Sequence, residues 1–531
     1  MQGRSRISLV VLILALLGGC ASLPPGSDFP RVVSSALAHP EQTRLGRQFE
    51  SAAREHDGNS AFRIIPVGAD GFLMRMQMIN SAERTLDLQY FIFRGDETGR
   101  LLTEAVIHAA DRGVRVRVLI DDGETVAGDD QIISLEAHRS IEIRLFNPFV
   151  YRGHSQLLRA TEFMLNSSRL DYRMHNKLLV VDNAVALIGG RNIGDQYFQM
   201  NPGAQFADDD VFAAGPISRG LSKSFDEYWN NALAIPAKAL SGGKATTAAL
   251  NDHRADLKDE SRQLKTNENE YVKRVASGEP FAGMISGRLP LVWAHAQLVV
   301  DSPDKKQVVS GEKEGRLMNQ EVDKATAAVL SELLMVTPYL IPGDEGMQLF
   351  KELRQRQVRV RILTSSLESS KVLLAQAGYM HYREPLLKNG VELYEIRSLL
   401  GKARGSGQTA AISRFGNYSL HAKMFVFDRQ RLFIGSMNFD QRSMHLNTEI
   451  GLIIDSPVLA QQVAARFEAM VLPANSYRLL LRPNDTKGSP NLLWLTEENG
   501  RAVEYATEPA RSDFQRIKVH ALSLLSLDKE L

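Results

Sequence analysis

The chain repeats itself, and that repeat limits its fold more than any other feature. Residues 86–93 alternate in the manner of a strand, Gly95-Asp96-Glu97 make a turn, residues 101–112 carry a helical pattern, and residues 114–120 alternate again. The same order returns at residues 335–340, Gly343-Asp344-Glu345, residues 347–356 and residues 358–363. Val114 and Val358 stand 244 positions apart, and the motifs below stand 246 apart, so the copies keep register over most of their length. A duplicated β-α-β unit predicts α/β sheets with helices on their faces.

Between the copies, residues 241–279 are rich in Lys, Asp, Glu, Asn and Gln and read as a polar helical insert. Gly242-Gly243-Lys244 is no phosphate loop, because the first glycine of that motif and a leading strand are missing. The expected organisation is a leader over 1–19, a tether and N-terminal segment over 20–60, and a first domain over 61–240. A linker or insert over 241–290, a second domain over 291–475, and a tail over 476–531 with a hairpin around Asn499-Gly500 complete it.

Composition removes whole classes of function. With 63 Lys+Arg against 62 Asp+Glu the net charge is +1, which leaves no general basic coat for nucleic acid. The single cysteine of the 531 residues excludes an internal disulfide framework and Cys-based zinc clusters. That cysteine follows Arg4, Arg6, an apolar run over 7–17 and Leu17-Gly18-Gly19, a run too short to span a bilayer and organised as an export signal. It resembles a bacterial lipobox, with Cys20 as the acylated mature N-terminus and Pro24-Pro25-Gly26 as a flexible tether.

The chemistry lies at matching places. His175-Asn176-Lys177 is followed by Asp182 and by Gly189-Gly190-Arg191-Asn192; His421-Ala422-Lys423 is followed by Asp428 and by Gly435-Ser436-Met437-Asn438, at identical spacing. Side chains at i and i+2 of an extended chain share a face, so each histidine points with its lysine while Leu178, Val180, Met424 and Val426 face a buried sheet. Asp182 and Asp428 fall at the following turn, where their role reads as positional. Gly190, Asn192, Ser436 and Asn438 suit close approach to a phosphate.

These paired motifs resemble the phospholipase D superfamily, whose signature is His-x-Lys-x4-Asp-x6-Gly-Gly/Ser-x-Asn, and the likeness covers most of residues 61–475. Together with the lipoprotein start, the residues around His175 and Asn192 are most similar to the bacterial cardiolipin synthases of that superfamily. The resemblance implies two phospholipase D-type α/β domains related by pseudo-twofold symmetry, with one active site at their interface. It implies no metal and no cofactor. It places His175, Lys177, Asp182, His421, Lys423 and Asp428 in the catalytic set, with His175 as nucleophile and His421 as acid and base, roles that near-symmetry allows to be exchanged. The lysines would supply the positive charge that a metal supplies elsewhere. The acids that orient the histidines would be Glu449, eight residues before Pro457, and Asp208, eight before Pro216, with Asp210 as a further choice.

The implied activity is phosphatidyl transfer making cardiolipin; hydrolysis by water, an envelope nuclease and an inactive scaffold are the alternatives. The implied partners are phosphatidylglycerol, phosphatidylethanolamine as another donor, the membrane through the lipid anchor, and an accessory protein of unknown identity, but no nucleic acid. The implied location is the bacterial cell envelope, on the outer side of the cytoplasmic membrane or in the outer membrane. Before the first motif, Tyr151, Leu157, Leu158, Phe163, Met164 and Leu165 mingle with Arg152, Arg159 and Arg169. That stretch reads equally as a surface for an anionic amphiphile and as a helix packed into the core.

Overall fold

The computed structural model describes residues 26–123, 129–153, 155–200, 205–240, 245–266, 280–398, 418–482 and 492–524. The expected leader and Cys20 lie outside the described residues. The first half contains β1 (Ser60–Ile65), β2 (Thr85–Tyr90), β3 (Arg115–Asp121), β4 (Ile141–Phe146), β5 (Leu178–Val181), β6 (Val185–Gly189), β7 (Gln205–Ala207), β8 (Asp210–Ala214) and β9 (Ala234–Pro236). The second contains β10 (Val292–Val300), β11 (Glu332–Val336), β12 (Arg359–Ser365), β13 (Glu392–Ile396), β14 (Tyr418–Leu420), β15 (Met424–Phe427), β16 (Arg431–Gly435), β17 (Ile450–Asp455), β18 (Ser476–Leu481), β19 (Leu492–Glu498) and β20 (Arg501–Tyr505).

The two sheets have the same strand order. The first runs β1-β8-β6-β5-β2-β3-β4-β9, parallel at β2-β3-β4 and antiparallel elsewhere. The second runs β10-β17-β16-β15-β11-β12-β13-β18, parallel at β11-β12-β13, and is extended by the β19–β20 hairpin that turns at Asn499-Gly500. β10 joins the sheets: Val292, Trp293 and Ala294 pair with β1, and His295 to Val300 pair with β17. β11 begins earlier than the alternation of residues 335–340 suggested, and it ends before Pro338, which has no N–H to give a ladder.

Both faces of the central strands are buried, so the residues sort by parity into separate cores. Leu179 and Val181 of β5 join the helices Gly68–Ser81 and Glu97–Asp111, while Leu178 and Val180 face the other half. In β15, Phe425 and Phe427 pack outward with the helix Gly343–Gln355, and Met424 and Val426 face inward. The helices Pro216–Trp229 and Pro457–Met470 fill the shared middle core, the second capped by Ser456, whose hydroxyl accepts from the N–H of Leu459.

The appended segments are docked on this frame. The helix Arg44–Glu55 buries Leu45, Phe49 and Ala53 against the first half. Ahead of it, Arg31 donates to the carbonyls of Asn231 (3.1 Å) and Ala232 (2.9 Å), so the tether is held from there on. The polar insert forms the helix Thr247–Thr266, which is attached to the first half through buried Leu250 and Leu257. No helix among the described residues is long and apolar enough to cross a membrane.

Candidate active site

The motif histidines stand just before β5 and β15, where the chain is extended but pairs with the opposite half. Met174 bridges to Thr448 and the N–H of His175 donates to the Thr448 carbonyl at 2.9 Å. At the equivalent place β14 pairs with β7, and the N–H of His421 donates to the Ala207 carbonyl at 2.8 Å. These pairings deliver the residue after each acceptor strand to the opposite histidine. Nδ1 of His175 donates to Glu449 (2.9 Å), and Nδ1 of His421 donates to Asp208 (2.6 Å). Each half supplies the acid that orients the other half's histidine. A carboxylate can only accept from Nδ1, so it leaves Nε2 with its lone pair.

The acids are held in turn. Asp208 packs against Gly190, where an added Cβ would lie 2.1 Å from Oδ1, so only glycine admits the carboxylate. The pseudo-equivalent Ser436 donates its hydroxyl to Glu449, and Ser443 donates to the other carboxylate oxygen at 2.9 Å. The residues expected to grip phosphate are therefore used differently: Gly190 and Ser436 seat the two acids. Asn192 accepts from the Ile92 N–H (3.1 Å) and donates to Tyr197 Oη (2.9 Å). Asn438 is buried with its Oδ1 unpartnered.

Two other expectations are corrected. Asp210 does not reach a histidine; it takes a bidentate bond from Arg75 (2.7 and 3.2 Å) and another from Arg191 (3.0 Å). Asp208 stands between β7 and β8, outside any strand, while Asp210 opens β8, so the two carboxylates need not share a strand face and only Asp208 meets a histidine. Asp182 and Asp428 lie at the far end of β5 and β15, roughly 13 Å of strand away from the histidine-lysine pairs. Asp182 accepts from the N–H groups of Glu83, Arg84 and Thr85 at 2.8–2.9 Å, and Asp428 from those of Leu330, Ser331 and Glu332 at 2.7–3.0 Å. They fix the starts of β2 and β11, the positional role that the turn suggested.

Lys177 and Lys423 are almost fully buried, and each folds back to donate to the carbonyl of its own histidine. Aromatic rings wall the imidazoles: Phe91 lies 5.0 Å from His175, and Tyr197 and Phe206 lie 5.3 and 5.0 Å from His421. Phe91 lies 84 positions before His175, whereas Tyr197 and Ser443 follow Asn192 and Asn438 by five residues each, but the spacing of the motifs marks none of them. Among the described residues no group of three or more His, Cys, Asp or Glu side chains is placed to hold a metal ion.

Burial and the paired lysines set the protonation states. Burial, then Lys177 and Lys423, pull His175 well below the ordinary histidine range. Burial and Lys423 pull His421 down to about 3. Burial brings Lys423 down to about 8 against the pull of Asp208 and Glu449, and takes Lys177 well below its ordinary value. The two acids diverge. Burial raises Glu449 to about 7, whereas at Asp208 the cost of burial is overcome by His421 and Lys423, which hold it at about 2. Each histidine lies within the field of the opposite lysine, so the four groups form one site.

Residues 76–229 and 319–471 match the family described as "Cardiolipin synthase, PLD-like domain". The chain is 34% identical to cardiolipin synthase C of Escherichia coli K12 over 490 residues, covering 91% of this chain and 99% of that protein. It is 28% identical to an uncharacterized protein of Helicobacter pylori 26695, covering 96% and 97%, and 23% identical to the major cardiolipin synthase ClsA of Bacillus subtilis 168, covering 78% and 69%. Among solved structures it is similar to phosphatidylserine synthase of Haemophilus influenzae Rd KW20, at TM-score 0.49 and 13% identity, covering 81% and 91%. The chain, with both halves matched and its motifs meeting at one site, belongs to the cardiolipin synthase family of phospholipase D-like enzymes.

Proposed function

We propose that this enzyme passes a phosphatidyl group from one phosphatidylglycerol to the hydroxyl of another, forming cardiolipin and releasing glycerol. The observation that carries the reading is the pair of buried imidazoles, each with Nδ1 bound by an acid from the opposite half and each beside a lysine. Likeness to cardiolipin synthase C over 91% of the chain supports the choice of lipid.

In the first step Nε2 of His175 attacks phosphorus, a P–N bond forms, and the P–O bond to the glycerol headgroup breaks. The departing oxygen takes a proton from Nε2 of His421, which enters the step as an imidazolium protonated from solvent when substrate binds. In the second step His421 recovers a proton from the hydroxyl of the acceptor lipid, whose oxygen forms the new P–O bond as P–N breaks. Lys177 and Lys423 neutralise the phosphoryl oxygens throughout. The bound phosphodiester anion offsets the lysine field that suppresses imidazole protonation, so substrate itself raises the proton affinity of His421. The lasting negative charge of Asp208 favours His421 for the proton-carrying task, and His175, facing the weaker acid Glu449, for attack. Phosphatidylethanolamine would serve as donor by the same route, releasing ethanolamine.

In this reading Cys20 carries the acyl anchor that holds the enzyme at the bacterial envelope membrane. The test is to reconstitute the purified protein with phosphatidylglycerol vesicles and follow products by mass spectrometry. Cardiolipin and glycerol are expected. Phosphatidic acid and glycerol would instead establish a phospholipase that uses water.

A further inference from the structure

Two helices of this protein leave large apolar side chains exposed, and the first of them is inside out. In Gln156–Leu165 the only buried residue is Arg159, whereas Leu157, Leu158, Met164 and Leu165 are exposed by half or more along one face. In Asp513–Ser523 the only buried residue is Val519, and Phe514 and Ile517 are exposed by two thirds or more. The first helix is fastened through its polar side, and the second through Val519 and Leu522 on Leu367 and Ala377 together with polar bonds. Arg159 donates to the carbonyls of Asp122 and Gly123, which follow β3. Gln515 donates to the carbonyl of Leu367 (2.8 Å) and Arg511 to that of Glu368 (2.5 Å), which follow β12.

β3 and β12 are equivalent strands of the two halves, and the loops after them border the two histidines. Asp121, beside the first loop, accepts from the N–H of Met174 at 2.8 Å, immediately before His175. In the second loop the Ser369 carbonyl accepts from Ser419 at 2.6 Å, two residues before His421, and Lys371 lies over the Phe206 ring that walls His421. The apolar faces are thus placed symmetrically about one catalytic cleft. Cations accompany the second helix: Arg516 and Lys518 lie in it and Arg511 just before it, with Asp513 as its one acid, and Lys371 stands in the loop after β12.

We propose that these two helices form a docking face that inserts into a bilayer bearing anionic headgroups, setting the cleft over its lipid. Charge complementarity supports the choice of occupant, because the cations in and beside the second helix suit anionic headgroups while its exposed apolar residues suit acyl chains. The inference rests on the phosphatidyltransferase reading only in taking a bilayer as the place of work.

The test uses the full chain carrying Met164→Trp or Ile517→Trp, mixed with phosphatidylglycerol and phosphatidylethanolamine vesicles whose acyl chains are brominated. Bromine quenches only indole that enters the acyl region, so the acyl anchor does not confuse the reading. The expected result is quenching of both added tryptophans beyond that of the native chain; no extra quenching at either position overturns the face. In parallel, Met164→Glu with Ile517→Glu is expected to lose about tenfold in turnover of vesicle lipid and to retain turnover of monomeric short-chain phosphatidylglycerol. Equal loss on both overturns the proposal. So does a lipid-free dimer, seen by sedimentation, that these substitutions dissociate, since the face would then join two copies. If the native chain turns over neither lipid, the activity reading fails while bromine quenching still decides the docking face.

Discussion

Gly190→Ala tests the seating of Asp208 without touching a histidine, lysine or acid. The new Cβ would stand 2.1 Å from Oδ1 and 2.8 Å from Cγ and Oδ2, so the whole carboxylate must withdraw. Oδ2 then loses Nδ1 of His421 (2.6 Å), and Oδ1 loses the N–H of Asp209 (2.8 Å). A buried charge-assisted hydrogen bond contributes about 1.5–3 kcal/mol. At about 1.4 kcal/mol per tenfold, kcat/KM is expected to fall roughly ten- to 150-fold. The assay is release of glycerol from phosphatidylglycerol in mixed micelles, with thermal melting on the same samples. The double variant Gly190→Ala/Asp208→Ala is expected to be no slower than Asp208→Ala alone, because the clash disappears with the carboxylate. Gly190→Ala within twofold of the native rate, with folding intact, would refute the argument.

Four further outcomes are expected. His175→Ala and His421→Ala each abolish turnover, and brief exposure to labelled substrate traps phosphoenzyme in His421→Asn but not in His175→Asn; the reverse trapping exchanges the roles. Activity follows a bell in pH. It rises through about 7 as Glu449 loses its proton and can accept from Nδ1 of His175, and falls through about 8 as Lys423 loses its charge; Glu449→Gln therefore removes the acid limb, and a flat profile across these values contradicts the assignment. EDTA leaves turnover unchanged when lipid presentation is held constant, and inactivation reversed by a divalent ion would contradict the two-lysine account. Cys20→Ser lacks the acyl mass and loses rate on bilayers far more than on detergent-dispersed lipid; equal rates on bilayers would remove Cys20 from membrane attachment.

The duplication and the paired motifs were legible because both are local: spacing within a strand and its turn is carried by a dozen neighbouring residues. The exchange of acids was not. Glu449 and His175 stand 274 positions apart, and only the pairing of Met174 with Thr448 brings them together. The same limit explains Asp210, which alternates with Asp208 on paper but enters its strand only after the crossing segment has ended. For Gln156–Leu165 periodicity gives an amphipathic helix but not which face meets the core. A buried arginine held by two loop carbonyls settles that, and it requires the fold.

The reciprocal loan of acids between halves has a consequence for how such an enzyme can be inherited. A single half, standing alone, would have to borrow its carboxylate from an identical copy, and the two imidazoles of that assembly would be indistinguishable. Fusion into one chain lifts that restriction. Gly190 with Asp208 and Ser436 with Glu449 are the two versions of one arrangement, free to mutate separately, and they have separated into a strong acid and a weak one. A reaction needing one imidazole to bond to phosphorus and another to ferry a proton gains from that difference. A substitution at either carboxylate is then felt first in the half that does not encode it.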